Sequence, residues 1–74
     1  MTIERAPAKE LLPHWLDKPQ NRYRSHPSLR VAFIQRLDEP ETIFVVNDQA
    51  LPQSTAEAME MIDKWREANE TAEG

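Results

Sequence analysis

The chain contains no cysteine and a single glycine, Gly74. The first absence excludes disulfide bridges and thiolate metal ligands as staples for a small fold. The second excludes Walker A loops, dinucleotide fingerprints and other glycine-rich phosphate cradles, which need backbone that nears a phosphate with no Cβ in the way. Only two histidines are present, His14 and His26, twelve residues apart, which is no recognised zinc spacing. The serines are Ser25, Ser28 and Ser54. Ser25 precedes His26, but sequence neighbours do not make a triad, and no strained glycine turn presents the hydroxyl.

Long apolar runs are missing too. None approaches the roughly 18 residues of a membrane span. The first ten residues, with Glu4, Arg5, Lys9 and Glu10 among them, lack the apolar centre of a signal peptide. The expectation is therefore a cytoplasmic protein.

Seventy-four residues make one domain at most, here residues 1–74, with 1–6 and 71–74 expected to fray. A chain of this size buries only about 60% of its unfolded surface. Its thin core leaves little room for the pocket of about 300 Å³ or more that small ligands use. Size and composition give the impression of a bacterial or bacteriophage accessory protein, though no single residue carries that impression.

The net charge of −4 is unevenly spread. Residues 1–37 hold seven basic and three acidic side chains, whereas residues 38–74 hold two basic and ten acidic ones. Such asymmetry bears on partners more than on fold. It fits a basic face meeting an acidic partner, or two halves of one fold attracting each other.

Two β-rich runs organise the chain. Residues 29–37 alternate: Leu29, Val31, Phe33 and Leu37 share one face, with Gln35 the exception, and Arg30, Ala32, Ile34 and Arg36 share the other. The pattern is that of a strand with its polar face in water. Residues 42–47 are apolar on both faces and want cover on both. Between them, Asp38-Glu39-Pro40-Glu41 reads as the turn, with Pro40 at its first central position. Ser54 and Glu57 form a capping box that opens a helix over 55–69. Its apolar stripe is Ala58, Met61, Ile62, Trp65 and Ala68 or Asn69, and Met59 lies off it. Pro7, Pro13 and Pro19 punctuate a short, broken helical segment, in which Leu11, Leu12, Trp15 and Leu16 stand at helical spacing.

The predicted fold class is α+β: a small antiparallel sheet, built on the hairpin 29–37/42–47 with room for a third strand, packed against the C-terminal amphipathic helix 55–69. The proline-broken segment covers an edge or the other face. The predicted core is Leu12, Trp15, Leu29, Val31, Phe33, Ile43, Val45, Met61, Ile62 and Trp65.

Residues 19–28, with two prolines, read as a polar loop. Around it stands the candidate partner-binding set: Lys18, Arg22, Tyr23, Arg24, His26 and Arg30. Arginine beside an aromatic serves protein interfaces, and on a mobile loop it also grips phosphates and stacks bases. A sequence pI near 5.0 weighs against nucleic acid. The ordinary account is that these arginines pair with acids of the helix. A second charged surface is the helix back, Glu57, Glu60, Asp63, Glu67, Glu70 and Glu73. That is a solvated face in the ordinary reading, or a mimic of phosphates for the basic groove of a nucleic-acid-processing enzyme in the sharper one.

These residues predict no catalytic site, no cofactor and no metal. The expectation is a non-enzymatic regulator, inhibitor or adaptor, docking on a larger protein. The alternatives are a nucleic-acid-binding regulator using residues 18–30, or a homo-oligomer subunit in which a second copy covers the doubly apolar strand.

Overall fold

A computed structural model describes residues 2–26 and 28–70, with Glu70 described by its backbone only. The expected fraying of 71–74 lies outside the described residues. Four antiparallel strands form one sheet: β1 (Thr2–Pro7), β2 (Arg22–His26), β3 (Val31–Arg36) and β4 (Glu39–Asn47), in the spatial order β1-β4-β3-β2. A short helix, α1 (Ala8–Leu11), and a 3-10 turn (Pro13–Trp15) follow β1, and the long helix α2 (Thr55–Glu70) ends the described chain. The fold is α+β as expected, with four strands.

β4 is the centre of the sheet because its side chains are apolar on both faces, and the chain supplies both covers. On one face Phe44 and Val46 join Ile3, Ala32 and Ile34 beneath Ala58 and Ile62 of α2. Ala32 and Ala58 are both fully buried, and their small side chains let the helix approach the sheet closely. On the other face Ile43 packs with Ala8 and Trp15, flanked by Leu12, Leu16, Phe33 and Val45. The proline-broken segment is thus a lid on the other face, one of its two expected positions, and the chain itself supplies the cover that the homo-oligomer alternative assigned to a second copy.

The breaks in that segment are local. Leu12, ahead of Pro13, is pushed to φ −137°, ψ 67°, out of helical space. The helix stops, and the 3-10 turn then carries Trp15 down onto Ile43. Leu11, grouped with the capping residues by spacing, is exposed instead.

Several expectations are corrected. The lead-in expected to fray is a strand over its described residues: Thr2–Pro7 pairs along β4 from Thr2↔Asn47 to Pro7↔Thr42, and Met1 lies outside the described residues. Pro40 is inside β4 and not in the turn. The hairpin closes with Leu37 and Asp38 alone, between the paired Arg36 and Glu39. The register shifts between Gln35 and Arg36, and this irregularity absorbs Pro40, which has no N–H to give a ladder. The face of β3 read as solvated is the one that α2 covers. Arg36 ends that row and turns its guanidinium to the Met59 carbonyl of α2 at 3.1 Å. Leu29 is not core: it precedes β3 in a turn and is 65% exposed.

Gln35, the polar exception in the predicted strand, is fully buried. Its Nε2 donates to the Trp15 carbonyl at 3.3 Å and to the Pro40 carbonyl at 2.6 Å. One amide thereby joins the lid to the irregular part of β4, where the ladder offers those carbonyls nothing.

Helix α2 begins as its cap predicts, with one change. The Glu57 N–H donates to Ser54 Oγ at 3.2 Å, but the Glu57 carboxylate accepts from the Gln53 N–H at 2.8 Å and not from Ser54. Met59, placed off the stripe, packs half-buried against the helix-side core. The Tyr23 hydroxyl donates to the Pro52 carbonyl and so ties β2 to the approach to α2.

The turn between β3 and β4 is bound to the helix by charge. Arg66 reaches Asp38 Oδ2 at 3.1 Å, Glu39 Oε1 at 3.2 Å and Asp63 Oδ1 at 3.0 Å. Arg36 also meets Asp63 at 2.8 Å, and Arg5 meets Glu39 at 3.3 Å. The hydrogen bond from Arg66, aided by that from Arg36, holds the Asp38 carboxyl below its ordinary value. The same pairing raises the Arg66 pKa further, so that guanidinium stays charged.

Two predictions follow from this packing. Phe44→Ala is expected to lower the unfolding free energy by about 3–5 kcal/mol, and Leu29→Ala to change it by no more than about 0.5 kcal/mol. Urea titrations of the two variants check the pair, and equal losses would overturn the placement of the core. The second concerns pH. A depressed folded-state pKa means that the Asp38 contribution is complete above the unfolded value of about 3.9 and is lost as pH falls through the folded value. The gap in urea midpoint between the wild type and Asp38→Asn is therefore expected to be present at pH 7 and to close below pH of about 4, a modest gap because Asp38 is 53% exposed.

Candidate functional site

The predicted loop 19–28 contains a strand, and that changes what its residues can do. β2 pairs with β3 from Arg22↔Gln35 to His26↔Val31 and has no neighbour on its other side. Alternation then divides the candidate residues. Arg22, Arg24 and His26 fall on the lid face, in rows that continue across the sheet as Gln35–Ile43, Phe33–Val45 and Val31–Asn47. Tyr23 and Ser25 fall on the helix face, in rows with Ile34 and Ala32.

Arg22 and Tyr23 turn out to be structural. The Arg22 guanidinium lies over the Trp15 ring at 5.5 Å and donates to the Lys18 carbonyl, clamping the lid to β2. Tyr23 is half-buried with its hydroxyl committed to Pro52, so it presents no open ring face for stacking. Sequence alone had placed these two side chains in the same binding set as Arg24. The period-2 alternation of a strand sends Tyr23 to the opposite face from Arg24, whereas Arg22 shares the face of Arg24 and is set apart by Trp15 and Lys18 of the lid above it; the local polarity concealed that strand.

Lys18, Arg24, His26 and Arg30 are exposed. None of them has an acidic partner among the described residues. His26 Nδ1 stands 3.0 Å from Ser28 Oγ. Arg30 holds a positive φ of 53° in the turn before β3, a conformation that costs a residue with a Cβ roughly 1–2 kcal/mol. The expectation that these arginines pair with acids of α2 fails for Arg24 and Arg30. The arginines that do meet acids are Arg5, Arg36 and Arg66.

Three carboxylates on the acidic back of α2 are engaged within the fold. Asp63 serves Arg36 and Arg66, Glu60 pairs with Lys64 at 3.1 Å, and Glu57 caps the helix. Glu73 and the side chain of Glu70 lie outside the described residues. Glu67 is exposed, with no basic partner among the described residues; over 57–67 it is the carboxylate of the row that the fold leaves unengaged.

Beside β2 the lid stops short. It covers the Ile43 row, while Val31, Phe33 and Val45 remain half-buried at the far end of the face. A notch of about 160 Å³ opens there, lined by Leu12, Arg24, Ser25, His26 and Phe33. A second hollow of about 600 Å³ lies across the sheet, between β1 and the lid, with Arg5, Lys9, Leu16 and Glu41 among its lining. The expectation that so thin a core would leave no such volume is thus corrected. The hollow's charges are of both signs, and no histidine or serine lines it. Among the described residues no cluster of three His, Asp or Glu side chains could hold a metal ion, and no helix is long and apolar enough to cross a membrane.

Comparison of the chain with protein-family models, with curated proteins and with solved structures found no match.

The division of the candidate set is testable by melting. Arg22→Ala loses the ring contact and a hydrogen bond, about 1 kcal/mol together, and is expected to lower Tm by about 4–8 °C. Arg24→Ala is expected to leave stability within about 0.5 kcal/mol of the wild type. Equal losses in the two thermal melts would overturn the assignment.

Proposed function

We propose that the protein is a non-enzymatic binding module, a regulator of the inhibitor or adaptor type, which docks on a larger protein through the basic margin of β2. The observation that carries this reading is a contrast in how charge is used. Arg5, Arg36, Arg66 and Lys64 are engaged with carboxylates within the fold. Lys18, Arg24, His26 and Arg30 stand exposed beside a strand edge and an apolar notch, with no acidic partner among the described residues. Cations left unpaired in an acidic protein suit an anionic partner and speed the encounter with it.

Two further features favour a protein over nucleic acid. Tyr23 is held in the core and offers no stacking platform. The notch beside Arg24 is walled by Leu12 and Phe33, which suits an apolar side chain better than a phosphate.

The test is affinity capture by the tagged full-length chain from its native cell lysate, with and without nuclease. The comparison is between the wild type and an Arg24→Ala, Arg30→Ala double variant. One dominant protein is expected on the wild type after nuclease treatment, and it is expected to be lost from the variant at an unchanged Tm. A signal that disappears with nuclease, and falls steeply with salt, would overturn the reading in favour of nucleic acid.

A further inference from the structure

We infer that the free edge of β2 takes up an extended acidic segment of its partner as a fifth strand of the sheet. This rests on the docking reading above and specifies its mode. An edge strand presents a row of backbone N–H and C=O groups that nothing pairs, and an extended peptide can satisfy them by strand addition. The sheet has two edges, β1 and β2, and they differ. β1 carries Pro7, which lacks an N–H, and a side chain of each sign in Glu4 and Arg5. β2 has no proline within Arg22–His26 and carries Arg22 and Arg24 at alternate positions on one face, with His26 next in the row.

That alternation chooses the occupant. Two β2 edges side by side would bring Arg22 and Arg24 of one copy close to the same residues of the other, and like charges opposite one another are unfavourable. A β1 edge from a second copy would offer on the lid face the single carboxylate of Glu4, would bring Pro7 with no N–H to give, and would make a head-to-tail pairing that fails to close. An acidic strand meets neither difficulty. Its carboxylates, spaced two residues apart, would stand opposite Arg24 and His26. A leucine or phenylalanine on the same face would lean over the notch between Leu12 and Phe33. The notch is small, about 160 Å³, which suits one side chain and not a helix.

The probe is an acetylated and amidated nonapeptide, Thr-Glu-Thr-Leu-Thr-Glu-Thr-Glu-Thr, titrated into the ¹⁵N-labelled full-length chain. Three companions accompany it: one N-methylated at alternate amides, one with glutamine for each glutamate, and one with glycine for leucine. Saturable amide shifts are expected over Tyr23, Arg24 and Ser25 and around Phe33. They are expected to be lost with the N-methylated peptide, and Arg24→Ala is expected to weaken binding by about threefold, as one exposed ion pair allows. The glycine peptide is expected to bind more weakly, and equal binding would overturn the use of the notch. Equal binding of the N-methylated or the glutamine peptide would overturn strand addition, as would shifts centred on β1 or α2. Capture of a nuclease-resistant partner that depends on Arg24, together with no response to the peptide, would overturn strand addition alone and leave the docking reading standing. Peptide shifts on β2 with nothing captured would support the edge and count against the partner.

Discussion

A strand that is apolar on both faces has to be kept dry on both, and in a chain of 74 residues that demand shapes nearly everything else. β4 is that strand. Its helix-side residues, Phe44 and Val46, are covered by α2, and Ile43 on the other side is covered by Trp15 and Ala8. The second cover is short because three prolines divide the segment that provides it, and so it reaches only part of the face. Gln35 marks the seam: its buried amide nitrogen binds the Trp15 carbonyl of the lid and the Pro40 carbonyl of the irregular strand together.

The uneven charge of the sequence has a structural resolution at one end of the molecule and none at the other. Near the β3–β4 turn, basic residues from the first half meet acids from the second: Arg5 with Glu39, and Arg36 with Asp38 and Asp63. Arg66 joins the same group from α2. These pairs fasten the turn to the helix, though each is partly exposed and modest by itself. At the opposite margin the basic residues keep their charge for the outside. Segregation of this kind does little for stability and much for recognition, because unpaired cations set which surfaces the molecule will meet and which it will repel.

Much of the fold was legible in the sequence, and the illegible parts share a cause. The hairpin, α2 and the broken lid were readable because each is a local pattern: alternation, a capping box with a 3.6-residue stripe, and prolines at set intervals. β1 and β2 were not, since a short strand at a sheet edge is polar on its open side and owes its existence to a partner distant in the chain. The face of β3 was misread for a related reason. Arg30 and Arg36 bracket Ala32 and Ile34 and made that side look solvated, yet Arg30 lies in a turn and Arg36 ends the row, so the buried middle is alanine and isoleucine. The candidate site inherited these errors. Arg24, His26, Arg30 and Lys18 stand at the surface, while Tyr23 is framework because alternation along β2 sends it to Pro52, and Arg22 because the lid sets Trp15 against it.

The pairing of Thr2 with Asn47 has a kinetic side. The strands β2, β3 and β4 follow one another through short turns, so their pairing closes small loops, and α2 then has a sheet to fold against. β1 can join only after its partner strand exists, and its closure spans most of the described chain. Loop entropy therefore makes it the last strand to arrive and the first to leave. The lid follows β1 directly but is also held to β3 through Gln35 and to β2 through Arg22. Brief openings that release β1 would bare the outer edge of β4 while the meander, its lid and its helix stay folded.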